Sequence, residues 1–271
     1  MAVFERDDEA GLWRPTLLAR GPSGLQGGAV AGLMVGEIER RAAEEDLGFA
    51  LSATAWFLKP TPMQPLRSEM TVIRQGGRAA IIDNALTPEG EDEPCALARV
   101  MLVRPRPIEA PPFDDGLSET PIDPTELPVR TFGMRFEGPW FAEAMEMRFG
   151  EMRSGETRTG EGVVWFKMNC DVVEGGGAMS QVVGPADWAH GIARPLPKLF
   201  MDPNPNLTVQ LYRPLRGDWL GLEPSARWDR ELGLGAGRAT LRDVWGEVGS
   251  VSMAIALTRT PLAFGGRREA S

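Results

Sequence analysis

The sequence holds one histidine, one tyrosine and two cysteines in 271 residues, and each scarcity removes a class of chemistry. With His190 alone and Cys95 far from Cys170, no cluster has the ligand spacing of a zinc site. No metal is expected. No apolar run reaches the roughly 18 residues that cross a bilayer, and the acidic opening MAVFERDDEA lacks the basic stretch of a secretion signal. We therefore expect no membrane partner, a reducing cytoplasmic setting and no disulfide. The excess of acid, a formal charge of −9, repels a phosphate backbone, and the Lys and Arg residues form no tract. No nucleic acid is expected. Nor does the chain contain a phosphate-cradling loop ending in Lys-Ser/Thr, a G-x-S-x-G elbow, or a G-x-G-x-x-G after a strand. The GLGAG run at 233–237 reads as a turn or bulge between strands.

What is abundant is turn-forming residues, 32 Gly and 23 Pro, which predict many short strands rather than long helices. The clearest helix follows GPSGLQGG and runs through AVAGLMVGEIERRAAEE, with Val30, Met34, Ile38 and Ala42 at helical spacing. Its first half is nearly uncharged, so it should be wrapped by other structure, with Glu37, Arg40, Arg41 and Glu44 carrying its far end to water. Four strand-like stretches follow: SATAWFLKP, SEMTVIRQ, AAIIDNALT and ALARVMLVR. Around residues 105–128 the composition turns to proline and acid, which reads as a linker.

The programme then restarts. RTFGMRFEG, EAMEMRFGEM and VVWFKMNCDV precede a helix at AMSQVVGPADWAHGI, and LTVQLYRP, WLGLEPSARW, GRATLRDVW and SVSMAIALTR follow it. Laying Thr54–Pro60 over Thr208–Pro214, an offset of 154, matches Thr, an apolar residue, a base and Pro. The same offset sets Met101–Val103 over Ile255–Leu257 and Gln26 over Ser180. A repeat of this length predicts two tandem copies of one fold, with boundaries at 1–104, 105–128 and 129–271.

The segments LQGGAVAGLMVGEIER, TAWFLKPTPMQPLRSEMTVIRQGGRAA and NLTVQLYRPLRGDWLGLEPSARW resemble the acyl-CoA thioesterase II-like, or thioesterase-like, proteins, over about residues 20–260. The resemblance implies an α+β fold, a tandem (double) hotdog in which each half is a central helix wrapped by a curved antiparallel sheet. It implies hydrolysis of an acyl-CoA thioester to free acid and coenzyme A, with no cofactor beyond the substrate's own coenzyme A, and self-association of the kind common among such proteins. In that family a helix start polarises the thioester carbonyl, since its free N–H groups and partial positive charge suit an oxyanion.

Gln26, Gly27 and Gly28 are the candidates for that role; the alternative is that the glycines only let the helix start pack tightly. Strand alternation sets Asn206, Thr208, Gln210 and Tyr212 on one face and Leu207, Val209 and Leu211 on the other, which should cover the helix. Thr208 and Gln210 thereby become substrate-binding candidates. The family's water-activating aspartate aligns with Asn206, its hydroxyl residue with Ser225 or Ala226, and its glutamine with Ala254. The catalytic set is thus largely substituted, because an amide orients water but takes no proton from it. Asp187 or Asp202 could supply a carboxylate, though each also suits a loop or helix cap, and His190 suits a structural role. Arg213 and Arg216 are candidates for the coenzyme A phosphates, unless Arg213 pairs with a neighbouring acid. Trp56, Phe57 and Trp219 read as core or packing residues. The competing function is a non-catalytic acyl-CoA-binding protein, since a groove outlasts its water-activating groups. A hydratase is disfavoured because His190 has no evident acidic partner.

Overall fold

The computed structural model describes residues 2–111, 117–118, 120–131, 137–150, 162–193, 200–201 and 203–259. Asp202 and parts of the RTFGMRFEG and EAMEMRFGEM segments lie outside them. The first half comprises β1 (Phe4–Asp7), β2 (Leu12–Pro15), β3 (Arg20–Gly21), β4 (Gly24–Leu25), α1 (Gly27–Glu44), β5 (Phe49–Phe57), β6 (Leu66–Gln75), β7 (Ala79–Pro88) and β8 (Ala96–Val103). The second comprises β9 (Val129–Arg130), β10 (Met145–Arg148), β11 (Val164–Met168), α2 (Ala178–Ala186), α3 (Ala189–Ile192), β12 (Phe200–Met201), β13 (Asn206–Leu211), β14 (Trp219–Asp229), β15 (Leu234–Asp243), β16 (Gly246–Ala256) and β17 (Thr258–Arg259).

Among the described residues thirteen strands form one sheet in the order β1-β2-β6-β7-β8-β5-β13-β16-β15-β14-β11-β10-β9. Its ladder pairs are antiparallel throughout. Around its middle the order reads β6-β7-β8-β5, then β13-β16-β15-β14, so the second run mirrors the first. The central pair is β5 with β13, where Thr54 stands opposite Thr208 and their hydroxyls meet at 3.2 Å. These are the two threonines that the 154-residue offset superimposes.

Alternation explains which side of the sheet is buried. Leu207, Val209 and Leu211 are at most 1% exposed, while Asn206, Thr208 and Gln210 turn to the other face. Ala53, Ala55, Ala98, Val100, Ile82 and Leu86 join the same core as the inner residues of β13. Against this inner face lie the helices, which carry Leu33, Met34, Ile38, Met179 and Val182, all fully buried.

α1 begins at Gly27 because Gln26, in extended conformation, caps it: the Gln26 side chain accepts a hydrogen bond from Ala29 N. It ends before Asp46 and Gly48, which adopt positive φ of 50° and 91°. Gly28, Gly32 and Gly36 recur every fourth residue and so share one face. That face lies against α2 and the segment before it: a Cβ on Gly28 would come 2.4 Å from Gly184 O, and one on Gly36 2.4 Å from Val173 Cγ2. The helices therefore touch nearly backbone to backbone.

The second helix departs from expectation. It spans Ala178–Ala186 and breaks before α3, where the Trp188 N–H turns to the Pro185 carbonyl at 3.1 Å in place of an i−4 partner. Residues 118 and 122 of the proline- and acid-rich segment donate to Trp245 O and Val244 O, so part of that segment lies along the β15–β16 turn. Of the glycines in the GLGAG run, Gly233 takes φ 67° in a turn, while Gly235 and Gly237 lie within β15. Cys95 and Cys170 are free thiols. No helix among the described residues is long and apolar enough to cross a membrane.

Candidate functional site at the start of α1

A helix start leaves four N–H groups without an intrahelical partner. In α1 these belong to Gln26, Gly27, Gly28 and Ala29. Gln26 N donates to the Ala19 carbonyl at 2.9 Å and Ala29 N to Gln26 Oε1 at 3.1 Å. Gly28 N donates to Asp187 Oδ2 at 2.9 Å. Among the described residues, no hydrogen bond engages the Gly27 N–H.

Asp187, at the C-terminal end of α2 and only 3% exposed, is the organising group. Besides Gly28, it accepts from Gln26 Nε2 at 2.7 Å and from Asn204 Nδ2 at 2.7 Å. Asn204 also donates to the Asn206 carbonyl at 3.3 Å, which ties the carboxylate to the first residue of β13. The point where a Cβ on Gly27 would sit is 3.1 Å from Asp187 Oδ2 and 3.2 Å from Phe57 Cζ. An amide with no partner among the described residues, a buried carboxylate and an aromatic edge thus meet closely at the helix start.

Several expectations need correction. Gly28 is held against α2, and its N–H is already taken, so it cannot receive a ligand carbonyl. Asn206 directs Oδ1 at the Ala254 amide at 2.9 Å, so its carboxamide closes the β13–β16 ladder rather than projecting into the helix-start space. Asn206 and Ala254 thus meet across the β13–β16 pair. Ser225 does not join them. It lies on β14, with β15 and β16 between it and β13, and accepts a hydrogen bond from Arg238 Nε at 3.0 Å. Thr208 and Gln210 are on the sheet face away from the helices for the reason of alternation given above; Gln210 lines a shallow groove of about 410 Å³ with Ser52, Met101, Tyr212 and Ser250.

The phosphate role of Arg213 is also corrected. Its guanidinium grips the buried Asp243 with both terminal nitrogens, one pair at 3.0 Å. Asp243 further accepts from the backbone amides of Arg216 and Trp245 at 2.8 and 2.9 Å. A bidentate pair anchoring two turns leaves no fork for a phosphate. The Arg216 side chain is exposed. His190 places Nδ1 3.1 Å from Met253 Sδ, and among the described residues no hydrogen bond or ion pair joins it to an acid. Trp56 is 41% exposed on the outer face, contrary to a core role, whereas Phe57 packs on the core. Arg148 lies over the half-buried Trp219 ring.

Sequence reasoning missed Asn204 entirely, and it missed Glu39. Glu39, on α1, accepts from Met179 N at 2.9 Å and Ser180 N at 2.8 Å, so it caps α2 just as Asp187 caps α1. The two helices exchange carboxylates. Both are distant in sequence from the amides they bind, so no local capping pattern reveals them.

Burial pushes the Glu39 carboxyl up from 4.5 to about 6, although the Met179 and Ser180 amides pull it down. A folded value above the unfolded one means that this contribution to stability is complete below about 4.5 and is lost as pH rises through about 6. Glu39 should therefore favour folding by ~2 kcal/mol more at pH 4.5 than at pH 7. Urea unfolding of the protein and of Glu39→Gln across this range measures it as the difference between the two slopes; parallel curves would refute the assignment.

Comparison with known families and structures bears on this geometry. Residues 20–103 match the family model described as the acyl-CoA thioesterase N-terminal domain. The fold resembles the tesB protein of Mycobacterium avium subs paratuberculosis, at TM-score 0.66 and 14% identity, over 94% of this chain and 95% of that one. It also resembles a conserved protein of unknown function with hot dog fold from Alicyclobacillus acidocaldarius, at 0.67 and 13%, over 95% and 96%. A third likeness is to the acyl-CoA thioesterase II TesB2 from Mycobacterium marinum, at 0.64 and 14%, over 97% and 96%. Comparison with curated proteins gives no match. Residues 20–103 thus resemble the acyl-CoA thioesterase N-terminal domain, and the chain as a whole shares the hotdog fold of these structures.

Proposed function

We propose that this protein is an acyl-CoA thioesterase built as a tandem hotdog, with its halves at 1–104 and 129–271 joined by 105–128, and that it hydrolyses at the start of α1. The mirrored strand order about the β5–β13 seam supports the tandem reading. The observation that carries the site is the adjacency of the Asp187 carboxylate to the start of α1, where it binds Gly28 N and its Oδ2 lies 3.1 Å from the point a Cβ on Gly27 would take.

Asp187 supplies the carboxylate that position 206 lacks. It takes a proton from water as the oxygen attacks the thioester carbonyl, while the Gly27 N–H and the positive end of α1 stabilise the oxyanion. Collapse of the tetrahedral intermediate breaks the C–S bond, and the leaving coenzyme A thiolate takes the proton from Asp187, which restores the carboxylate. Gln26 and Asn204 hold the carboxylate from two sides, and Phe57 walls the space. The reaction needs water and no further cofactor.

One feature favours the second reading, a non-catalytic acyl-CoA-binding protein. Asp187 accepts three donors and occupies the amide that a helix-start oxyanion site would offer. Free-thiol release from a panel of acyl-CoAs, run beside equilibrium binding, separates the two. Turnover that falls by roughly 10²–10⁴ in Asp187→Asn, with binding retained, supports the hydrolase. Saturable binding without turnover in the unaltered protein selects the second reading; neither binding nor turnover with any acyl-CoA defeats both.

A further inference from the structure

α1 and α2 run antiparallel, and each is secured at its N-terminus by the other. α1 gives Glu39 to the Met179 and Ser180 amides, and α2 gives Asp187 to the Gly28 amide. Between these two points lie nine helical residues of α2, about 13 Å at 1.5 Å per residue. Three close approaches fill the interval: positions for a Cβ on Gly28 and on Gly32 lie 2.4 Å from Gly184 O and 3.3 Å from Ser180 O, and one on Gly36 lies 3.4 Å from Ser180 Cβ. Contacts this close to backbone leave the helices little room to tilt or slip independently. Displacement of one end of α2 is therefore passed to the other.

We infer that Glu39 is a positioning residue for Asp187: by holding the first turn of α2 it sets where the carboxylate at the far end of that helix lies against Gly28. For turnover this rests on the proposed function; as a coupling between two ends of a helix it does not. The protonation of Glu39 then regulates the candidate site from a distance, because an ionised carboxylate binds the two amides more strongly than its neutral form.

The surroundings of Glu39 leave it alone to titrate in this way. On its own helix, Arg40 turns its guanidinium to Glu37 at 3.1 Å, and Glu37 also takes the indole N–H of Trp13 at 2.9 Å and the Arg6 guanidinium at 3.4 Å. On the segment leading into α2, Asp171 and Glu174 are exposed, and Asp171 accepts from the Gln181 amide at 3.1 Å. From α2 itself come backbone amides and the Ser180 hydroxyl, which donates to the Gly177 carbonyl. Among the described residues no ion pair joins Glu39 to a cation. Its carboxyl is held near 6, within the range where acyl-CoA turnover is readily followed.

The test is a pH titration of backbone amide resonances in the full chain, from pH 4.5 to 8. The Met179, Ser180 and Gly28 amides should move with a common midpoint near 6, although Gly28 lies at the opposite end of α2 from Glu39. In Glu39→Gln all three should stay flat; Glu39→Asp, which withdraws the carboxylate by one methylene, should move all three midpoints together. A Gly28 amide that is flat while Met179 titrates, or a Gly28 midpoint that survives Glu39→Gln, overturns the inference. Should Glu39→Gln not fold, the unaltered protein and Glu39→Asp decide it. In thiol release, Glu39→Gln should lose the step near pH 6 from the kcat profile with KM changed less than twofold. Absence of turnover would defeat the hydrolase reading and leave the amide titration to judge the coupling.

Discussion

Asp187→Ala is expected to cost about 3 kcal/mol of folding free energy and to abolish thiol release. The substitution strands three donors at once: Gly28 N–H, which is buried, and the Gln26 and Asn204 amides, which are partly exposed and can recover water. A buried donor left unpaired costs about 1–3 kcal/mol, and hydrogen bonds to a charged acceptor are worth about 1.5–3 kcal/mol each. The contributions do not add fully, because the three share one acceptor. Urea unfolding measures the loss, and a change below about 1 kcal/mol would show that the carboxylate does not hold the start of α1. Asp187→Asn should fall between, retaining shape and one acceptor oxygen.

The second large effect is expected at neighbouring glycines that differ in what they face. In Gly28→Val the first added carbon lies 2.4 Å from the Gly184 carbonyl and 3.0 Å from Asp187 Cβ. Neither is the free end of a flexible chain, so the helices must separate. The cost should be at least ~3 kcal/mol, the upper range of overpacking, and insoluble expression would accord with it. Gly27→Ala meets Asp187 Oδ2 at 3.1 Å and Phe57 Cζ at 3.2 Å, both of which can give by a few tenths of an ångström. Its fold should survive with a loss of roughly 1–2 kcal/mol, while acyl-CoA binding and turnover fall because the added methyl fills the space beside the free N–H. The sequence makes Gly27 and Gly28 equal candidates beside the ligand, but only at 27 are the neighbours of an added Cβ all side-chain atoms that can give. Calorimetric melting of both variants, with equal shifts, would contradict the distinction.

The architecture was legible where periodicity carried it. Apolar residues at helical spacing marked α1, alternation marked the inward face of β13, and the 154-residue offset found the two threonines that stand opposite each other. The helix after residue 177 was legible in place but not in length, since it stops at Ala186 in a segment whose apolar pattern continues. The site was less legible because its bonds join residues remote in sequence. Gln26, Gly27 and Asp187 were each singled out, but only the fold brings Asp187 to Gly28, across 159 residues. Arg213 shows the converse. Arginine before proline beside a strand end suits a phosphate as well as an acid, and Asp243 at 30 residues' separation decides between them.

The seam between β5 and β13 has a consequence for the chain as it is made. Synthesis at about 5–20 residues per second delivers β13 on the order of ten seconds after β5. Through that interval β5, the last strand of the order β6-β7-β8-β5, presents an unpaired row of amides and carbonyls, with Trp56 on its outer side. An open, apolar strand edge is a template for pairing with another chain. The nascent half-protein on the ribosome, rather than the finished fold, is therefore the form in which this molecule is most exposed to aggregation, and the arrival of β13 closes the window.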